Sequence, residues 1–161
     1  MGTGTAVCGI TFKHAFDQRL LQPAITGKIS HNDWLKMAEH SLSACMDPSH
    51  ASRLVSVWHP STCAIDFELL GAFRALAKTA PLLLITNATN HLDTDLTTAG
   101  LSTHFDHIAN SSKLGSAKPD REIFAAALQM VGCEPREAVF IDDSKTNVLA
   151  AAEYTFRVIH Y

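Results

Sequence analysis

The chain has 161 residues, of which 47% are hydrophobic and 18% charged, with a formal net charge of -3. That length and apolar content suit one domain with a real core and at most a small insertion, and they exclude a disordered or fibrous chain. With no basic excess and no Lys/Arg cluster interleaved with aromatics, nucleic acid is not an expected partner.

The four cysteines, Cys8, Cys45, Cys63 and Cys133, form no Cys-x-x-Cys pair, which argues against a zinc module or a disulfide framework. A reducing cytoplasm is the default location. No basic region followed by an apolar core opens the chain, and no apolar run approaches the roughly 20 residues a membrane helix needs. Neither a signal peptide nor a membrane span is therefore expected, and Ala6 stands where a myristoylation signal after Met1-Gly2 wants Ser or Thr. Of nine histidines, only His104 and His107 lie close at helical spacing, and Phe105-Asp106 between them reads as loop. Scattered packing or surface histidines are the expected account.

The run Thr5 to Phe12 is small, β-branched and apolar, as in a short buried strand entering a Gly turn. From His14 to Trp58 the pattern becomes helical. Ser30-His31-Asn32-Asp33 resembles a capping box, followed on one face by Leu35, Ala38, Leu42 and Cys45. Pro23, Gly27, Pro48 and Pro60 are expected to divide this block into short helices, which read as a small helical insertion after the first strand. An amphipathic helix is predicted from Asp66 to Lys78 with Phe67, Leu70, Phe73 and Leu76-Ala77 as its apolar stripe.

Leu82 to Ile85 is a continuous apolar run, the pattern of a strand covered on both faces, and it ends in Thr86-Asn87. A helix from Leu92 closes at Gly100, and His107 to Asn110 is a weaker strand. Pro119 is expected to open a helix carrying Ile123, Phe124, Ala127, Leu128 and Val131. Val139-Phe140-Ile141 then reads as a buried strand ending in Asp142-Asp143, with Asp143 or Ser144 capping the next helix, and a last strand lies near Arg157 to His160. Strand-helix alternation of this kind gives an α/β fold, a doubly wound parallel sheet with helices on both faces.

In such a sheet the turns after the strands collect ligands. Adjacent carboxylates repel, and a hard cation such as Mg2+ relieves that repulsion; the plainer alternative is one capping Asp and one solvated Asp. Thr86 can donate to a phosphate oxygen, Lys118 can neutralise charge, and Asp143 with Asp142 can hold Mg2+, all in one expected cleft. Singly, Thr86-Asn87 is turn chemistry and Lys118 a solvated cation beside a helix-starting Pro. Their order and spacing favour the joint reading.

Those residues resemble the haloacid dehalogenase-like (HAD) hydrolases, in the subgroup with a small helical cap after strand one. Leu84-Ile85-Thr86-Asn87-Ala88 is similar to that family's second motif, Ala117-Lys118-Pro119-Asp120-x-Glu122-Ile123-Phe124 to its third, and Val139-Phe140-Ile141-Asp142-Asp143-Ser144-x-x-Asn147 to its fourth. The resemblance implies a core of residues 1–12 and 61–161 with a cap at 13–60. It also implies a sheet ordered fifth, fourth, first, second, third, with the first strand central.

It implies Mg2+-dependent phosphate-monoester hydrolysis of a small phosphorylated metabolite, with Thr86 and Lys118 catalytic, Thr86, Asn87 and Lys118 binding substrate, and Asp143 and Asp142 binding metal. The departure is the first motif: aligning Gly9-Ile10-Thr11-Phe12 with its tail puts Ala6 at the nucleophile position and Cys8 at the acid/base position. A methyl group forms no aspartyl-phosphate, and Cys replaces a carboxylic acid poorly, so turnover is expected to be impaired.

Cys8 is no better as a thiol nucleophile, since position 14 is His where a cysteine phosphatase loop needs Arg, and Asp17 lies among helix formers. The alternative function is a non-catalytic member of the fold that binds a phosphorylated ligand or a protein. A receiver-type phospho-acceptor module shares the acidic pair, Thr and Lys, but carries its acidic pair early in the chain.

Overall fold

The computed structural model describes residues 13–58 and 64–161, apart from the side chain of Trp58. The strand expected over Thr5 to Phe12, and with it Ala6 and Cys8, lies outside the described residues.

Three helices come first: α1 (Gln18–Ile25), α2 (His31–Ser43) and α3 (Pro48–Trp58). Asp17 starts α1 by accepting the Arg19 N–H at 2.9 Å while pairing with the Arg19 guanidinium at 2.6 Å. Pro23, read in the sequence as a breaker, lies inside α1. Its carbonyl instead receives the Lys28 and Ile29 N–H groups that close the turn, so the break falls at Gly27, with φ +72°. A Cβ there would stand 2.2 Å from the Ser112 carbonyl oxygen, so this turn approaches the far segment too closely for any side chain.

The cap expected at Ser30 is present, its hydroxyl accepting the Asp33 N–H at 3.1 Å and donating to the Asp33 carboxylate at 2.6 Å. The buried face of α2 is His31, Trp34, Ala38 and Leu42; Leu35 is half-buried, and Cys45 falls beyond the helix end, exposed. These helices pack on one another through two apolar clusters, Ala15-Ala24-Trp34-Ala38 and Leu42-Ala51-Val55.

Next come α4 (Phe67–Ala77), β1 (Leu83–Thr86), α5 (Leu92–Thr98), β2 (His107–Asn110) and the single turn α6 (Ser111–Leu114). They are followed by α7 (Arg121–Val131), a 3-10 turn at Pro135–Glu137, β3 (Val139–Asp142), α8 (Lys145–Glu153) and β4 (Arg157–His160). The strands pair in parallel as β1 with β2, register Leu83 to His107, and β3 with β4, register Val139 to Arg157. Among the described residues β1 and β3 are not paired with each other. The main core joins Ile123, Phe124 and Leu128 of α7 to Phe140, Ala151 and Phe156, with the Phe124 and Phe140 rings edge to face at 5.3 Å.

Four expectations need correction. The stripe on α4 buries no residue, and Phe67 and Leu76 are 50% and 78% exposed. That helix is held by polar contacts, Arg74 donating to the Asp106 carboxylate and the His104 carbonyl. In β1 every residue is half-buried rather than enclosed. In β3 only Phe140 is buried, while Val139 and Ile141 on the opposite face are exposed, so the strand alternates. Pro119 stands outside α7, whose N-cap is Asp120, and the Lys118-Pro119 bond is cis. No helix among the described residues is long and apolar enough to cross a membrane.

Candidate active site

Lys118 bridges the C-terminal ends of β1 and β3. Its ammonium donates to the Ile85 carbonyl of β1 at 2.9 Å and to the Asp142 carboxylate of β3 at 2.7 Å, with the Phe140 ring centre 5.9 Å away. The two side chains are only 13% and 7% exposed. A loop lysine holds such a position only if its backbone is fixed, and Asn87 fixes it. Asn87 Nδ2 donates to the Lys118 carbonyl at 2.8 Å, while the Lys118 N–H donates to Asn87 Oδ1 at 2.7 Å.

Both oxygens of Asp142 are engaged. Oδ2 takes Lys118, and Oδ1 accepts the Ser144 N–H and Asn147 Nδ2, each at 2.9 Å. Ser144 is the N-cap residue of α8 but makes no side-chain cap bond; the Asp142 carboxylate meets the start of the helix instead. Burial is the largest single influence on the Asp142 carboxyl and pushes it upward. The hydrogen bonds from Lys118, Asn147 and Ser144, with the Lys118 charge, outweigh burial and hold it below the usual carboxylate range.

Asp143 is exposed, and its carboxylate has no hydrogen bond among the described residues, although its carbonyl accepts His160 Nε2 at 2.9 Å. Thr86 ends β1 half-buried, its hydroxyl likewise without a bond among the described residues. For a hard cation these donors fit in part. Asp143 offers a free carboxylate, Asp142 is spent on its three neighbours, and no cluster of three His, Cys, Asp or Glu exists among the described residues. Mg2+ commonly takes one or two carboxylates and completes its shell with water and phosphate oxygens, and of the acidic pair Asp143 is the one whose carboxylate is left to offer.

A cleft of about 400 Å³ opens beside Lys118, within the usual range for small-molecule sites. Its core wall is Asn87, Lys118, Ser144, Thr146 and Asn147, and its other wall is α1 with Phe16. Thr86 and Asp143, expected in the same cleft, are not among its lining residues. A larger cavity of about 570 Å³ around Gly132 and Tyr154 shares no residue with it.

Sequence reasoning missed the supports. Ser111 is fully buried and its hydroxyl bonds both the N–H and the carbonyl of Ala88 at 3.0 and 3.3 Å, bracing the loop after Thr86. Asn110, 2% exposed, donates to the Thr89 carbonyl at 3.1 Å and caps α6 through Ser112. The same loop grips the start of α2: His31 bonds the Asn90 side chain through its N–H and the Thr89 hydroxyl through Nδ1, both at 2.8 Å. The available signal was the polar pair Asn110-Ser111 at the end of an apolar strand.

Parallel strands with helices between them, and a lysine and acidic pair at the strand ends, define an α/β fold with a polar site where its strands end. The model of the haloacid dehalogenase-like hydrolases matches residues 53–154, and the chain belongs to that family. Over 152 aligned residues it is 28% identical to bifunctional epoxide hydrolase 2 of Sus scrofa, an alignment covering 85% of this chain and 27% of that protein. Over 76 residues it is 33% identical to the GMP/IMP nucleotidase YrfG of Escherichia coli (strain K12), covering 47% of this chain and 34% of that one. The chain thus spans about a quarter to a third of the length of these relatives. Its fold matches a HAD family enzyme of Bacteroides thetaiotaomicron solved with magnesium and inorganic phosphate, at a TM-score of 0.75 and 18% identity, covering 97% of this chain and 83% of that one.

Proposed function

We propose that this chain is a phosphatase-type HAD protein whose phosphate-binding half is retained and whose turnover is impaired. In this reading, residues 1–12 and 61–161 form a doubly wound core and 13–60 a small helical cap. A small phosphorylated metabolite in the cytoplasm is the ligand, with no nucleic acid or membrane involved. Lys118 neutralises the phosphoryl group, the Thr86 hydroxyl donates to it, and Asn87 holds the lysine and borders the ligand. Asp143, with Asp142 behind it, would hold Mg2+, which supplies further neutralisation of phosphate oxygens.

The observation that carries the reading is the Lys118 ammonium fixed between Ile85 and Asp142 at two strand ends. Preorganised positive charge at such a point is what phosphoryl binding requires. Ala6 and Cys8 occupy the positions where this family's two motif-one carboxylates belong, so the site can bind and orient but lacks an oxygen nucleophile. The saturation of Asp142 favours a second reading, a module that binds a phosphorylated ligand or a protein without turning it over.

Hydrolysis of p-nitrophenyl phosphate tests the first reading. The unmodified chain should show negligible Mg2+-dependent turnover, and Ala6→Asp with Cys8→Asp should acquire it, folding being checked by circular dichroism. Cys8→Asp alone should do little, because an acid/base without a nucleophile has nothing to assist. Strong activity in the unmodified chain that survives Asp143→Asn would put the chemistry elsewhere.

A further inference from the structure

Among the described residues, the side of the cleft facing Lys118 carries no charge. Gln18, Leu21, Gln22 and Ile25 of α1 recur at three- and four-residue spacing, so they share one helix face, and that face lines the cleft. It presents two amides and two aliphatic chains and no charge. The one cation on α1, Arg19, is turned to solvent at 88% side-chain exposure and paired with Asp17. The Gln18 and Gln22 amides make no hydrogen bonds among the described residues, and each offers both a donor and an acceptor edge. Phe16 extends the apolar part, its ring edge-on to Trp34 at 6.4 Å.

Charge around the cleft points the same way. Lys118 is the one cation among its described lining residues, and Asp142 already matches it. The one lining anion, Asp120, is exposed at the start of α7 and makes no cap bond. A ligand carrying a second negative group would meet Asp120 and find no cation on α1 to receive it.

We propose that the cleft selects a phosphate monoester whose alcohol portion is uncharged and partly apolar, its flat or aliphatic body lying against Leu21, Ile25 and Phe16 and its polar edge bonded by Gln18 and Gln22. This rests on the reading of Lys118 as the phosphate contact. It excludes phosphorylated carboxylates and bisphosphates as ligands.

Calorimetric titration of the full chain with inorganic phosphate, phenyl phosphate and phosphoglycolate tests it. Phenyl phosphate should bind roughly tenfold tighter than inorganic phosphate, through the apolar area its ring buries. Phosphoglycolate should bind no tighter than inorganic phosphate. Gln22 is exposed, so Gln22→Lys should fold normally and reverse the order, with phosphoglycolate gaining on phenyl phosphate. Lys118→Met should remove all three.

Phosphoglycolate matching or exceeding phenyl phosphate in the unmodified chain overturns the ligand class. So does a phenyl phosphate affinity equal to that of inorganic phosphate. In both cases the Lys118 site stands, provided inorganic phosphate still binds and Lys118→Met abolishes it. No phosphate binding, or binding indifferent to Lys118→Met in a folded variant, overturns the site and the ligand class together.

Discussion

Two ion pairs in this chain have the same length, 2.7 Å, and different surroundings. Lys118 and Asp142 are 13% and 7% exposed at the strand ends, whereas Arg74 and Asp106 are 41% and 45% exposed where α4 meets the approach to β2. In the first, the other carboxylate oxygen is also bonded, to the Ser144 N–H and Asn147 Nδ2 at the start of α8. In the second, Asp106 accepts Arg74 and the Leu82 N–H, and water reaches both partners. Distance alone would rank them equal. Burial separates them, because a buried charge that loses its partner has no water to turn to, and an exposed one does.

The largest effect should come from breaking the buried pair on one side only. Asp142→Ala is expected to cost about 3 kcal/mol by leaving Lys118 buried and unpaired. In chemical denaturation the double change Lys118→Met with Asp142→Ala should recover part of that loss. Equal losses from the double and from Asp142→Ala alone would mean that the pair is not coupled.

Acid should expose the same difference. The folded chain holds the Asp142 carboxyl below its ordinary value, so the unfolded chain takes up a proton first as pH falls. The stability this group contributes is therefore complete above the unfolded value of about 3.9 and is lost as pH drops through the lower folded one. Melting temperatures between pH 5 and pH 2.5 should fall more steeply for the unmodified chain than for Asp142→Asn; parallel curves would remove Asp142 from the account.

Gly27→Ala comes next, at about 2 kcal/mol, since it combines a positive φ with a Cβ placed against the Ser112 carbonyl. It should loosen the seat of α1 and α2 on the core, read as faster hydrogen exchange at His31 and Trp34 while the Phe124-Phe140 core keeps its protection. The exposed pair should matter least. Asp106→Asn should shift the melting temperature by a small fraction of the Asp142→Ala effect, and raised salt should shrink the difference further. A loss as large as that of Asp142→Ala would show that exposure does not rank these pairs.

Local chemistry made much of this chain legible. The Ser30 cap, the helix start at Asp66, the stop at Gly100 and the strand positions at Leu83–Thr86, His107–Asn110, Val139–Asp142 and Arg157–His160 are short-range consequences of residue type, and the structure has them within a residue or two. The motif residues were legible because residues that end strands are where a parallel sheet opens to ligand. Tertiary contact decided the rest. Asn87 reads as a turn residue until Lys118, 31 positions later, folds against it. Asp142 and Asp143 are identical in the sequence, yet Lys118 and Asn147 engage one and leave the other to solvent. Residue type sets what a side chain can bond, but which partner reaches it, and how much water remains, is fixed only when distant segments pack.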